Sequence, residues 1–148
     1  MDSKALFYDF ILFIMLNFQK SIELNKAGFP KPNPEFGQFW YSSNGNLWII
    51  GRLSPDADCV AIAVQDTSWE HLRDMNGFVF APTEKDILAE LQKACRNGFW
   101  WALTAPDKSD NLWGCANFER NEGKNNEFLS GCPTEACADA YLFTFSIS

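Results

Sequence analysis

Between residues 16 and 145 the chain alternates helix-like and strand-like patterns, punctuated by glycine and proline. Leu16 to Lys26 reads as a helix, closed by Gly28 as a left-handed cap and by Pro30, which cannot continue it. Gln38 to Ser42 and Leu47 to Arg52 are rich in aromatic and branched residues, and the Asn44-Gly45 pair between them is a hairpin signal. Cys59 to Val64 alternates small with branched side chains, the pattern of a central strand covered on both faces. A polar stretch follows, in which Ser68 to Arg73 reads as a helical turn on the surface, and Gly77 to Phe80 gives a further short strand.

Thr83 is placed to cap a helix from Glu84 to Asn97, with Asp86 completing a capping box. Ile87, Leu88, Leu91, Ala94 and Cys95 fall on one face of that helix, and Gly98 stops it. Phe99 to Thr104 and Leu112 to Phe118 pattern as a strand pair joined by a turn over Pro106 to Asp110. Glu119 to Gly131 is hydrophilic throughout most of its length and reads as a loop. The last pattern is a helix from Glu135 to about Phe145, with Thr134 as its cap and Cys137, Ala138, Tyr141, Leu142 and Phe145 on one face. These elements predict an α+β fold: an antiparallel or mixed sheet of about five or six strands with three helices.

Four short islands carry a resemblance. Ile22 to Pro30, Phe36 to Tyr41, Phe80 to Leu88 and Pro133 to Leu142 resemble a group of small proteins of gut anaerobic bacteria and their phages, a group with no established activity. The resemblance implies a phage or mobile-element setting and brings no catalytic residue with it. It leaves out residues 1–14, so Met15 is a candidate alternative start within a single domain spanning 1–148. The apolar run Ala5 to Phe18 is too short for a standard spanning helix, and it lacks the basic start and cleavage site of a signal peptide.

Charge narrows the partners. The 148 residues hold 12 Lys and Arg against 19 Asp and Glu, a net charge of -7. With the cations scattered singly, this opposes binding to nucleic acid or anionic membranes. The expected partner is therefore a protein or a small ligand. Five cysteines at irregular spacing do not suit a disulfide scaffold, and the reading is cytoplasmic.

Catalytic chemistry finds little support. A cysteine enzyme would use Cys132, near a helix start where a thiol acidifies, with His71, the only histidine, as base. No third residue is marked to orient that pair. No close Cys pair offers zinc ligands, so no metal or other cofactor is expected. The acidic pairs Asp56 and Asp58, Asp107 and Asp110, and Glu119 and Glu122 all sit in turn-like contexts. The sequence thus reads as a non-catalytic binding or protein-interaction domain, with a small-ligand binder holding an aromatic pocket as the alternative and a cysteine enzyme behind it.

Aromatic residues make up 16% of the chain, with 14 Phe and 6 Trp, and they supply the candidate contacts. In Phe39-Trp40-Tyr41 and Phe99-Trp100-Trp101, neighbouring rings must point to opposite sides of a strand. Either helices cover both sheet faces and the rings are core, or some rings stay exposed. In the second case Trp40, Trp48, Trp100 and Trp113 are the expected platform.

Overall fold

A computed structural model describes residues 15–52, 59–64, 69–71, 75–106 and 109–145. Residues 1–14, Asp56, Asp58, Asp107, and the side chains of Cys59 and His71 lie outside what is described. The fold is α+β, with three helices and eight strands among the described residues. The strands form two antiparallel sheets, one in each of two compact units: Asn17–Pro82, and Thr83 onward together with Met15 and Leu16. None of the described helices is long and apolar enough to cross a membrane.

The first unit opens with α1 (Phe18–Lys26), capped by Asn17, whose side chain accepts from the Lys20 amide at 2.7 Å. Gly28, at φ +93°, ends it as the glycine pattern predicts. The sheet contains β1 (Phe39–Tyr41), β2 (Leu47–Arg52), β3 (Cys59–Ala63), β4 (Trp69–His71) and β5 (Val79–Ala81), in the order β4-β3-β2-β1-β5. Gly45 at φ +88° makes the turn between β1 and β2, confirming the hairpin. Flanked by β2 and β4, β3 buries both Val60 and Ala61, one on each face, as expected of an inner strand. Within the helical turn expected at Ser68 to Arg73, Trp69–His71 instead form strand β4, in register with β3, and Ser68, Leu72 and Arg73 lie outside the described residues. Three extended residues are too few to show the period of two that distinguishes a strand from a turn.

The second unit begins with α2 (Glu84–Lys93). Thr83 and Asp86 form the reciprocal capping box: the Thr83 hydroxyl accepts from the Asp86 amide at 3.3 Å, and the Asp86 carboxylate accepts from the Thr83 amide at 3.0 Å. The helix stops at Lys93, a turn earlier than Asn97, because Ala94 already takes the cap position. The sheet follows with β6 (Phe99–Thr104), β7 (Trp113–Glu119) and β8 (Gly123–Ser130), and α3 (Pro133–Phe145) closes the unit. The hydrophilic stretch read as a loop contains β8. Its first four residues are exposed at the sheet edge, so Lys124, Asn125 and Asn126 carry no apolar alternation to betray a strand. Asn121 at φ +70° and Gly123 at φ +88° supply the left-handed residues of the β7–β8 turn.

The expected capping role of Thr134 is also corrected. Pro133 starts α3, and the Cys132 carbonyl accepts the first helical bond, from Ala136 at 3.1 Å. Thr134 lies buried inside the first turn, and its hydroxyl donates to Glu84 Oε2 at 3.0 Å, tying α3 to the start of α2. Of the predicted apolar face Cys137, Ala138 and Tyr141 are buried and Leu142 and Phe145 half-buried, while Ala136 and Ala140, outside that face, are sealed as well. Small residues let α3 sit close to α2, β7 and β8.

Candidate functional site

The four candidate tryptophans are divided between the units, two in each sheet. Trp40 and Trp48 are cross-strand partners in the first unit, in one row with Ala63 and Phe80. That row is core. Trp40 is fully buried, with Phe80 at 5.1 Å between centroids, and its indole donates to Gln38 Oε1 at 3.1 Å. Lys31 Nζ lies 5.7 Å from its ring and donates to the Met75 carbonyl at 2.9 Å. Trp48 is buried edge-on to Phe78. The other face of the sheet is covered too, since Tyr41 and Leu47 are buried and Phe18 of α1 lies 5.4 Å from Tyr41. Neither Trp40 nor Trp48 is available as a contact residue.

The second unit's sheet is different, because only one of its faces is packed by a helix of that unit. Register pairs Trp101 with Asn117 and Leu103 with Cys115, so Phe99, Trp101, Cys115 and Asn117 share a face. Helix α3 packs there: Cys137 is hydrogen-bonded to the Cys115 side chain, and the Phe128 ring lies 6.3 Å from Trp101 and 5.2 Å from Phe143. Trp113 also points to this side by alternation. Trp100 points to the opposite side, where its ring stacks on Phe118 at 5.7 Å and an interplanar angle of 10° and is 40% exposed. Trp100 is therefore the one candidate tryptophan in the exposed position expected of a platform, and its ring partner is Phe118 rather than another tryptophan.

Around Trp100 the exposed face has a floor of small residues. Ala116 and Gly114 are buried, and Leu129 is 48% exposed beside them. A Cβ at Gly114 would overlap Thr104 Oγ1 and press on Glu127, so glycine lets those two side chains close over the strand. Lys124 and Glu127 pair at 2.8 Å on this side, and a groove of about 340 Å³ runs past Leu112, Phe118 and Leu129.

On the helix-covered face, where α3 ends, a recess of about 380 Å³ remains open. Phe99 and Trp101 of β6 and Phe143 of α3 supply its aromatic walls. Asn117 and Asn126 come from the strands, and Cys95 and Arg96 from the segment after α2. A β-bulge explains how Asn126 reaches it. Register shifts between Ala116 and Phe118, so β8 carries an extra residue there, and Lys124 and Glu127 both turn to the Trp100 side. Asn126 is left facing the recess. Asn117 is held in place, donating to the Trp100 carbonyl at 3.3 Å and accepting from Asn125 at 3.5 Å. Burial raises the Cys95 thiol above its ordinary pKa, which keeps it protonated at neutral pH.

The outer edge of β6 is closed by a side chain. Gln92 accepts from the Trp101 amide at 3.2 Å and donates to the Phe99 carbonyl at 3.5 Å, imitating a neighbouring strand along an apolar edge. Changing Gln92 to Ala is expected to leave that edge open and to produce concentration-dependent self-association in sedimentation velocity. A variant that stays as monodisperse as the parent chain would show that Gln92 does not guard the edge.

No protein-family model matches this chain, and neither a curated protein nor a solved structure matches it significantly.

The site must therefore be read from its own chemistry. Cys132 is half-buried at the start of α3, and the His71 side chain expected to serve as its base lies outside the described residues. Cys115 and Cys137 are free and sealed from solvent. No group of three or more potential metal ligands occurs among the described residues. Sequence reasoning missed Arg96, Asn117, Asn126 and Phe143. The one available signal was the Asn125-Asn126 pair, whose hydrophilicity was the reason for reading the segment as a loop.

Proposed function

We propose that this chain is a non-catalytic binding domain that holds a small ligand in the recess of its second unit. The observation carrying this reading is the recess itself: about 380 Å³, walled by Phe99, Trp101 and Phe143, with carboxamides from two strands at its rim. Ligand sites are typically concave and mostly apolar, with a few placed polar groups and volumes of roughly 300–1,000 Å³. The aromatic-pocket alternative raised by the sequence is thus the form of binding that the geometry favours. A thermal-shift screen of small aromatic compounds tests it. A compound that raises the melting temperature of the parent chain is expected to lose its effect on Phe143→Ala, whose side chain is 64% exposed and costs the fold little. Equal stabilisation of the variant would place the compound elsewhere and count against the recess.

A second reading is favoured by the Trp100–Phe118 stack, an exposed aromatic surface beside Leu129. It makes that face the contact for a partner protein, with Trp100 as anchor. The phage or mobile-element setting rests on the resemblance of the four islands, and genomic neighbours of this chain test it.

A further inference from the structure

The charge at the recess points to a ligand class, and this deepening rests on the pocket reading above. Arg96 is the only charged side chain lining the recess among the described residues, in a chain whose net charge is -7. No carboxylate lines the recess among the described residues. Two helices end beside the recess, and helix C-termini favour cations, so the two influences compete. The carbonyls at the end of α2 are already engaged: Leu91 accepts from the Ala94 amide at 3.2 Å and from Cys95 Sγ at 3.5 Å, and Gln92 accepts from the Cys95 amide at 3.1 Å. Thr144 donates to the Ala140 carbonyl at 2.8 Å in the last turns of α3. These bonds blunt the helix ends and leave a full positive charge on Arg96, and a charged hydrogen bond outweighs a partly compensated dipole.

We propose that the recess takes a flat aromatic ring bearing a single carboxylate. The ring would lie among Phe99, Trp101 and Phe143, the Arg96 guanidinium would meet the carboxylate, and the Asn126 carboxamide would meet a polar ring substituent. One guanidinium matches the planar fork of one carboxylate and balances its single charge, whereas a doubly charged phosphate would keep an uncompensated charge beside Arg96, the one cation lining the recess among the described residues.

Isothermal titration of the full chain with indole-3-acetate and with its neutral amide, indole-3-acetamide, tests this. The acetate is expected to bind at least ten-fold more tightly, with a preference that shrinks in high salt. Arg96→Gln, an exposed change that leaves the fold intact, is expected to abolish the preference while the amide keeps its affinity. Equal affinities for the two probes in the parent chain would overturn the carboxylate assignment while leaving an uncharged aromatic pocket standing. Binding of neither probe would overturn the assignment as well, and the Phe143→Ala comparison judges the pocket independently.

Discussion

Replacing Trp40 with alanine is expected to cost about 3–5 kcal/mol of folding stability, the range for removing a fully buried tryptophan. Its ring is sealed, packed on Phe80, approached by Lys31 and hydrogen-bonded to Gln38, so truncation opens a cavity and strands polar partners. The same change at Trp100 is expected to cost about 1 kcal/mol, because its ring is 40% exposed and what it loses is mainly the stack on Phe118. Urea unfolding of the two variants separates them. Similar large losses at both positions would mean that the Trp100 side of the second sheet is also core.

The contrast shows where the sequence was readable. Phe39-Trp40-Tyr41 and Phe99-Trp100-Trp101 look alike as strings, and alternation sends neighbouring rings to opposite faces in both. What covers each face depends on which helices dock there, a long-range outcome that a local pattern does not contain. In the first sheet both faces are filled, so Trp40 and Trp48 are core, whereas in the second only the Trp101 side receives α3. Local signals succeeded where one residue type dictates geometry: Gly28 and Gly45 at positive φ, and the Thr83–Asp86 capping box. They failed at β8, an exposed polar edge strand, and at Thr134, whose hydroxyl was drawn to Glu84 rather than to its own helix start. The recess was hidden for the same reason. Cys95, Arg96, Asn117, Asn126 and Phe143 meet only through register, a bulge and the end of a helix.

Alkaline solution is expected to destabilise the protein steeply. The hydrogen bond to Cys115, burial, and the neighbouring Cys115, Glu84 and Cys132 charges all push the Cys137 thiol up, so the folded state holds it protonated. In the unfolded chain a thiol ionises with a pKa of about 8.5. Above that pH the unfolded state releases a proton that the folded state retains, so stability falls as pH rises, by up to about 1.4 kcal/mol per pH unit for this one group. Tyr141, raised by burial and by Glu90, adds a loss in the same direction above about pH 10. Denaturation under reducing conditions at pH 7.5, 9 and 10.5 should show the decline, with a shallower slope in Cys137→Ala. Parallel slopes in the two proteins would remove Cys137 as the cause.

The central claim, that the recess on the α3 side binds a small ligand, is tested most directly by mapping amide and indole NMR shifts on addition of indole-3-acetate. The account predicts that the Trp101 indole, the Asn117 and Asn126 side-chain amides and the backbone around Arg96 move together and saturate, while the Trp100 indole stays in place. Saturable shifts centred on Trp100, Phe118 and Leu129, with the recess signals unmoved, would contradict it.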